Sequence, residues 1–283
     1  MLNLTIKRTP VLLPSLENDR HTEVWRDVQG SISAYGQIVG EDCWMHLPGL
    51  ASFRLSRGSC EQSVAFADTA EDASIIEAYN RRVFPMALHL AGKEVMHASG
   101  VLSNAGVIAF GAASQTGKST IACGFRSRGY TLWADDALAF EVSPDEISTP
   151  QLPFQLRLRP SAANFFGDCG HEDQVSGNGH PDSTSVNAPL LAVCVLRRST
   201  NDSDQPVKVE RLFSSSALKA VLPHAWCFTL QDPERKRRMM SNYLDLVART
   251  AILDVCFKPG LENLPVILDA IESQLERIGP GNG

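Results

Sequence analysis

Long hydrophobic runs, paired cysteines and an excess of positive charge are all missing from this 283-residue chain. Each absence removes a class of protein. No apolar stretch reaches the ~18 residues that a membrane-spanning helix needs, so no membrane partner is expected. Residues 1–8 are too polar, and too poor in small residues, to read as a secretory signal, and a cytoplasmic location is expected. The seven cysteines are odd in number, scattered, and include no C-x-x-C pair. Neither a disulfide framework nor a zinc finger follows from them, and reduced, buried thiols account for them. The formal charge of -6 leaves no basic footprint, so nucleic acid is not expected as a partner. Internal repeats and coiled-coil heptads are also lacking. What remains is an ordinary globular composition with ample apolar material for a core.

The most informative stretch is 106–120, GVIAFGAASQTGKST, which predicts a short buried strand running into a phosphate-binding loop. Such a loop wraps an anion in backbone N–H groups. Its Lys, here Lys118, reaches the outer phosphates, and its hydroxyl, here Ser119, ligates Mg²⁺. The helix expected from 121 onward aims its positive end at the same place. Gly111, Ala113, Ser114, Gln115, Thr116, Gly117, Lys118, Ser119 and Thr120 are the candidate nucleotide contacts. The common pattern G-x-x-x-x-G-K-[ST] puts its first Gly at Ala112, which is tolerable only where that backbone has no positive φ. The alternative is a Gly/Ser turn with no ligand.

Around this stretch the chain divides into three regions. Residues 1–70 alternate short apolar runs with turns, around 5–7, 31–39, 43–47, 52–55 and 63–66, and predict a small β-rich region. Residues 71–92 place Ile75, Ile76, Tyr79, Val83, Met86, Ala87 and Leu90 at helical spacing, a connecting helix capped by Asp72 or Ser74. Residues 93–283 follow as a larger α/β region. There a strand at 94–102 and a turn at 103–106 predict a hairpin that brings His97 toward the loop. From its spacing alone His97 reads first as a satisfied core residue, since a lone His beside an apolar run more often packs than reacts.

Past the loop helix, Tyr130 to Trp133 forms a strand ending in Asp135 and Asp136. Carboxylates at a strand's C-terminal end, shortly after a phosphate loop, are placed for a Mg²⁺ ligand, with one free to take a proton. A plain turn is the alternative. Alternation puts Arg157 and Arg159 on one face of an extended segment, as phosphate contacts or as a solvated face. The polar stretch 167–189 predicts a lid-like loop. A core strand at 189–196, a half-exposed strand at 207–212, helices at 214–224 and 232–250, a strand at 251–257 and a closing helix at 261–278 complete the chain. The basic run 235–238 reads as a solvated helix face or as a phosphate contact.

With these residues assembled, 96–141 resembles the catalytic core of the HPr kinase/phosphorylase family and its shorter HPr-kinase-related members, some of which phosphorylate a serine on a precursor peptide. The shared order is a strand ending His-Ala-Ser-Gly, a hairpin, a loop ending Gly-Lys-Ser, a helix, Arg-Gly-Tyr, and a strand ending Ala-Asp-Asp-Ala. The resemblance implies an α/β P-loop kinase core of the HPr kinase/PEP carboxykinase-like type, beside the β-rich N-terminal region. It makes His97, Lys118, Ser119, Asp135 and Asp136 the working residues, with ATP and Mg²⁺ as cofactors. Asp135 is expected as base, Asp136 and Ser119 on the metal, and His97 orienting Asp135, with the two Asp roles exchangeable. The expected partner is a small protein or peptide bearing the acceptor serine, and the resemblance adds a homo-oligomer to the expectations.

Two departures stand out. Gln115 falls where typical members carry the glycine of Gly-x-Ser-Gly-x-Gly-Lys-Ser. The Glu-Ile-Arg-Gly signature is absent as well, with Gln155, Leu156 and Arg157 its nearest counterpart. The expectation is therefore a serine kinase whose acceptor need not be HPr. The alternatives are a non-catalytic ATP sensor and an HPr kinase proper.

Overall fold

The computed structural model describes residues 3–5, 23–26, 29–39, 42–56, 61–66, 70–152, 154, 156, 158–167, 186–199, 205–227 and 232–278. The chain is mixed α/β and falls into two units. One is Met1–Lys93 with Trp226–Arg237, and the other is Glu94–Ala225 with Arg238–Gly283. Among the described residues, no helix is long and apolar enough to cross a membrane.

The first unit holds a six-stranded sheet of β1 (Asn3–Thr5), β2 (Glu23–Arg26), β3 (Ile32–Val39), β4 (Asp42–Leu47), β5 (Ala51–Ser56) and β6 (Glu61–Phe66), in the order β1-β6-β5-β4-β3-β2. All neighbours are antiparallel except the parallel pair β1 and β6. Period-two alternation sends Cys43, Met45, Phe53 and Leu55 to one face. There they pack with Ile75, Tyr79, Val83 and Met86 in one buried cluster.

Those helical residues come from α1 (Asp72–Ala78), a π turn (Tyr79–Val83) and α2 (Phe84–Leu90), which occupy the predicted connecting helix. The π turn precedes Pro85, whose missing N–H and bulky ring disrupt the ordinary i→i−4 ladder at this point. The N-cap is Glu71, which makes no side-chain capping bond, so neither Asp72 nor Ser74 fills that role. Farther along, Arg235 belongs to this unit. Its Nε donates to the His89 carbonyl at 3.0 Å, and its Nη2 donates to His89 Nδ1 at 2.8 Å and to the Lys93 carbonyl at 2.9 Å. The first residue of the basic run is thus a structural clamp, whereas Lys236, Arg237 and Arg238 are exposed.

The second unit is built on β7 (Glu94–Met96), β8 (Ala98–Ser103), β9 (Gly106–Gly111), β10 (Thr131–Ala134), β11 (Leu138–Val142), β12 (Ile147–Pro150), β13 (Asn187–Arg198), β14 (Val207–Leu212) and β15 (Ala251–Phe257). Its sheet runs β10-β8-β9-β13-β12-β11-β7, and β15 joins β13 to β14. β9, β13 and β15 are parallel, while β8 and β10 pair antiparallel in turn. The C-terminal ends of β9, β10 and β13 therefore share one edge with the N-terminal end of β8.

Helices α3 (Lys118–Arg126) and α7 (Leu264–Ile278) cover this sheet, with Ile121, Phe125, Ile267, Leu268 and Ile271 in a cluster with Phe110, Cys194 and Leu253. α4 (Pro160–Phe166), α5 (Ser214–Val221) and α6 (Pro233–Arg249) are the other α-helices after β7 among the described residues. Asp232 caps α6, its Oδ1 accepting the Arg235 N–H at 2.9 Å. Most of the loop expected over 167–189 falls outside the described residues, as do Gln155 and Arg157.

Candidate functional site

β9 is buried along its whole length and ends at Gly111, where the chain turns through 112–117 into α3. Ala112, at the position where a glycine was expected, is fully buried in the core and has no positive φ. A methyl group there fills space at no conformational cost. The left-handed positions of the turn are Gln115 at φ 69° and Gly117 at φ 129°. Gly117 meets this demand freely, while Gln115 is strained. Thr116 N–H closes the turn on the Ala113 carbonyl at 3.2 Å. The first N–H groups of α3 then face outward from the helix start, as every helix N-terminus requires.

Lys118 is buried at 6% exposure. Its Nζ donates to the Ala112 carbonyl at 3.2 Å and lies 3.0 Å from His97 Nε2. A lysine ammonium can only donate, so His97 Nε2 accepts and the ring proton sits on Nδ1. That Nδ1–H donates to the Asp136 carbonyl at 2.9 Å. Burial pulls the Lys118 pKa below its usual value, with the charges of Asp136 and Asp135 opposing that shift.

Asp135 follows β10 directly and is also buried. Because Ala134 pairs with Gly100, the neighbouring Ser99 reaches the carboxylate, and its Oγ donates to Asp135 Oδ1 at 2.6 Å. The Ser119 hydroxyl donates to the same oxygen at 2.8 Å. Asp136, half-buried, takes a positive φ of 63°, which turns the chain sharply away at the strand end. One sheet edge therefore gathers His97, Lys118, Ser119, Asp135 and Asp136. Arg159 is the exposed N-cap residue of α4.

Three residues here escaped the sequence reading. Ser99 is a fully buried hydroxyl in an apolar strand, and that oddity was its signal. Arg198 stands past the continuous apolar run of β13, and its Nη2 and Nε donate to the carbonyls of Gln115 at 2.7 Å and Thr116 at 3.3 Å. A charged residue at the end of a core strand marked it. His224 had no signal. Its carbonyl accepts the His97 N–H at 2.7 Å, and its Cδ2 lies 3.1 Å from where a Cβ on Gly111 would sit. Burial first, then the charges of His97 and Lys118, pull its pKa down to about 4, so its ring is neutral at pH 7.

No family model matches the sequence, and no curated protein matches it. Among solved structures, one similar to this chain is the Hpr(Ser) kinase/phosphatase from Coxiella burnetii, at 11% identity and a TM-score of 0.36, covering 65% of this chain and 92% of that one.

Proposed function

We propose that this chain is an ATP- and Mg²⁺-dependent kinase that transfers a phosphoryl group to a hydroxyl, that of a serine on a small protein or peptide. The observation that carries the reading is the 2.8 Å hydrogen bond from the loop hydroxyl Ser119 to the strand-end carboxylate Asp135, with Lys118 beside them. The serine acceptor rests on the resemblance of residues 96–141 to the HPr-kinase-related group.

A hydroxyl and a carboxylate facing each other are hard oxygen donors of the kind Mg²⁺ takes, so Ser119 and Asp135 fit that ion. Bound there, Mg²⁺ supplies charge neutralisation to the β- and γ-phosphates. The helix start and the loop N–H groups bind the phosphates. Lys118, pre-positioned by Ala112 and His97, adds a positive charge in a site where burial limits screening. Asp136 takes the proton of the acceptor hydroxyl as that oxygen bonds to the γ-phosphorus. The bond from that phosphorus to the bridging oxygen breaks, and ADP leaves with the electron pair. His97 holds the Asp136 backbone through its Nδ1–H. These hydrogen bonds favour exchanging the two Asp roles expected from the sequence, because Asp135 Oδ1 is already tied to Ser99 and Ser119.

The test uses ATP labelled at the γ-phosphate with candidate peptides, run beside thermal melting in Mg-ATP. Asp136→Asn is expected to lower transfer by ~10²- to 10⁴-fold, the usual worth of a general base, while keeping the nucleotide-induced rise in melting temperature. Asp135→Asn is expected to lose the Mg²⁺ dependence of nucleotide affinity. Near wild-type transfer by Asp136→Asn removes the base assignment, and binding without transfer to any acceptor favours a sensor.

A further inference from the structure

The geometry points to Arg198 as a positioning residue of the phosphate loop: we propose that its guanidinium holds the Gln115 and Thr116 peptides in place, compensating for the glycine that this loop lacks. The inference rests on the nucleotide-binding reading given above. Its starting point is sheet register. β9 and β13 run parallel with Gly111 opposite Val195, so Arg198, the last residue of β13, stands three residues past the level at which β9 ends, beside the turn that follows Gly111. Alternation sends its neighbour Arg197 the other way, where it pairs with Asp254 through two bonds of 2.6 Å each. That pair ties the end of β13 to β15 and presents Arg198 from a fixed backbone.

From there Arg198 reaches two successive carbonyls, Gln115 at 2.7 Å and Thr116 at 3.3 Å. Both follow directly on the strained position, since Gln115 holds φ 69° with a full side chain. Such a conformation persists only where its surroundings over-determine it. In a trans peptide the N–H points opposite to the C=O. The Thr116 carbonyl turned toward Arg198 therefore aims the Gly117 N–H away from it and fixes how the loop presents its donors to a phosphate. A planar guanidinium presents its Nε–H and Nη2–H to the two carbonyls in one rigid fork, whereas an ammonium is a rotating point charge that fixes neither peptide plane.

The experiment is a double-mutant cycle on the full chain, with Mg-ATP as the probe. Arg198→Ala is expected to weaken Mg-ATP affinity about tenfold, the order expected for lost charged hydrogen bonds. The same change in a Gln115→Gly background is expected to cost about threefold or less, because glycine adopts the left-handed conformation unaided. Arg198→Lys should fall between, since it keeps the charge but loses the fork. Equal losses in both backgrounds, or full rescue by lysine, would mean that Arg198 acts only through its charge and would overturn the proposal.

Melting without nucleotide supplies an independent arm. Arg198→Ala should lower the melting temperature more in the wild-type background than in the Gln115→Gly background, and an equal drop overturns the proposal. A wild-type chain with no affinity for Mg-ATP defeats the nucleotide reading instead, and the melting comparison then decides Arg198 alone.

Discussion

Protonating His89 would break a hydrogen bond before it added a charge, because its Nδ1 accepts from Arg235. Burial, then the Arg235 charge, pull the His89 pKa down to about 3, while Asp232 pushes it up. In the unfolded chain the same imidazole titrates near ~6.5. Between those values the unfolded state holds the proton and the folded state does not, so stability rises with pH across the window and falls as pH drops below ~6.5. The slope contributed by this one group approaches ~1.4 kcal/mol per pH unit. His89→Gln keeps an acceptor for Arg235 and removes the titration. Urea unfolding from pH 7 to pH 5 should show a flatter stability profile for the variant than for the wild type, and equal slopes would refute the assignment. The partially buried His224, pulled to about 4 by a comparable environment, contributes to both chains alike.

At the scale of elements, the β8–β9 hairpin decides whether His97 and the loop meet, and it turns on Gly106. This glycine has φ 139°, and a Cβ there would lie 2.6 Å from the Pro189 backbone carbonyl on β13. Backbone cannot yield as a side chain can, so Gly106→Ala combines left-handed strain with a clash and should cost roughly 1–3 kcal/mol or more. The expected outcome is a clearly lower urea midpoint, and a cost under ~0.5 kcal/mol would show that the hairpin relaxes freely. This hairpin was legible because a turn signal sits between two apolar runs. The same holds for α6, whose Asp232 cap and Pro233 announce its start, and for β15, an apolar run interrupted by Asp254 alone. β2 and β12 were not legible. Each is four residues long with mixed polarity, and each exists because a neighbouring strand pairs with it. The site divides along the same line. Lys118, Ser119 and the Asp pair belong to local patterns, whereas Arg198 joins Gln115 across a sequence separation of 83. That contact follows from strand order, which alternation along one strand does not encode.

Over the whole molecule, the two units have separate buried clusters, one around Phe53 and Tyr79 and one around Phe110 and Phe125. Every residue of the candidate nucleotide site, from His97 to Asp136, lies in the second. A ligand that binds only the folded site adds RT ln(1 + [L]/Kd) to each opening event that destroys it, about 2.7 kcal/mol at a hundredfold excess over Kd. Openings that leave the site intact gain nothing. Hydrogen exchange with and without Mg-ATP should therefore show slower exchange in β9, the 112–117 turn, α3 and the end of β10. The amides of β3, β4 and β5 should exchange at unchanged rates, because their hydrogen bonds close a different sheet. Slowing confined to residues 106–136 supports a nucleotide held at the shared strand edge. An unchanged rate there under saturating Mg-ATP removes the nucleotide reading, while slowing spread evenly over both sheets would mean that the two units open as one and that the ligand reports on global stability alone.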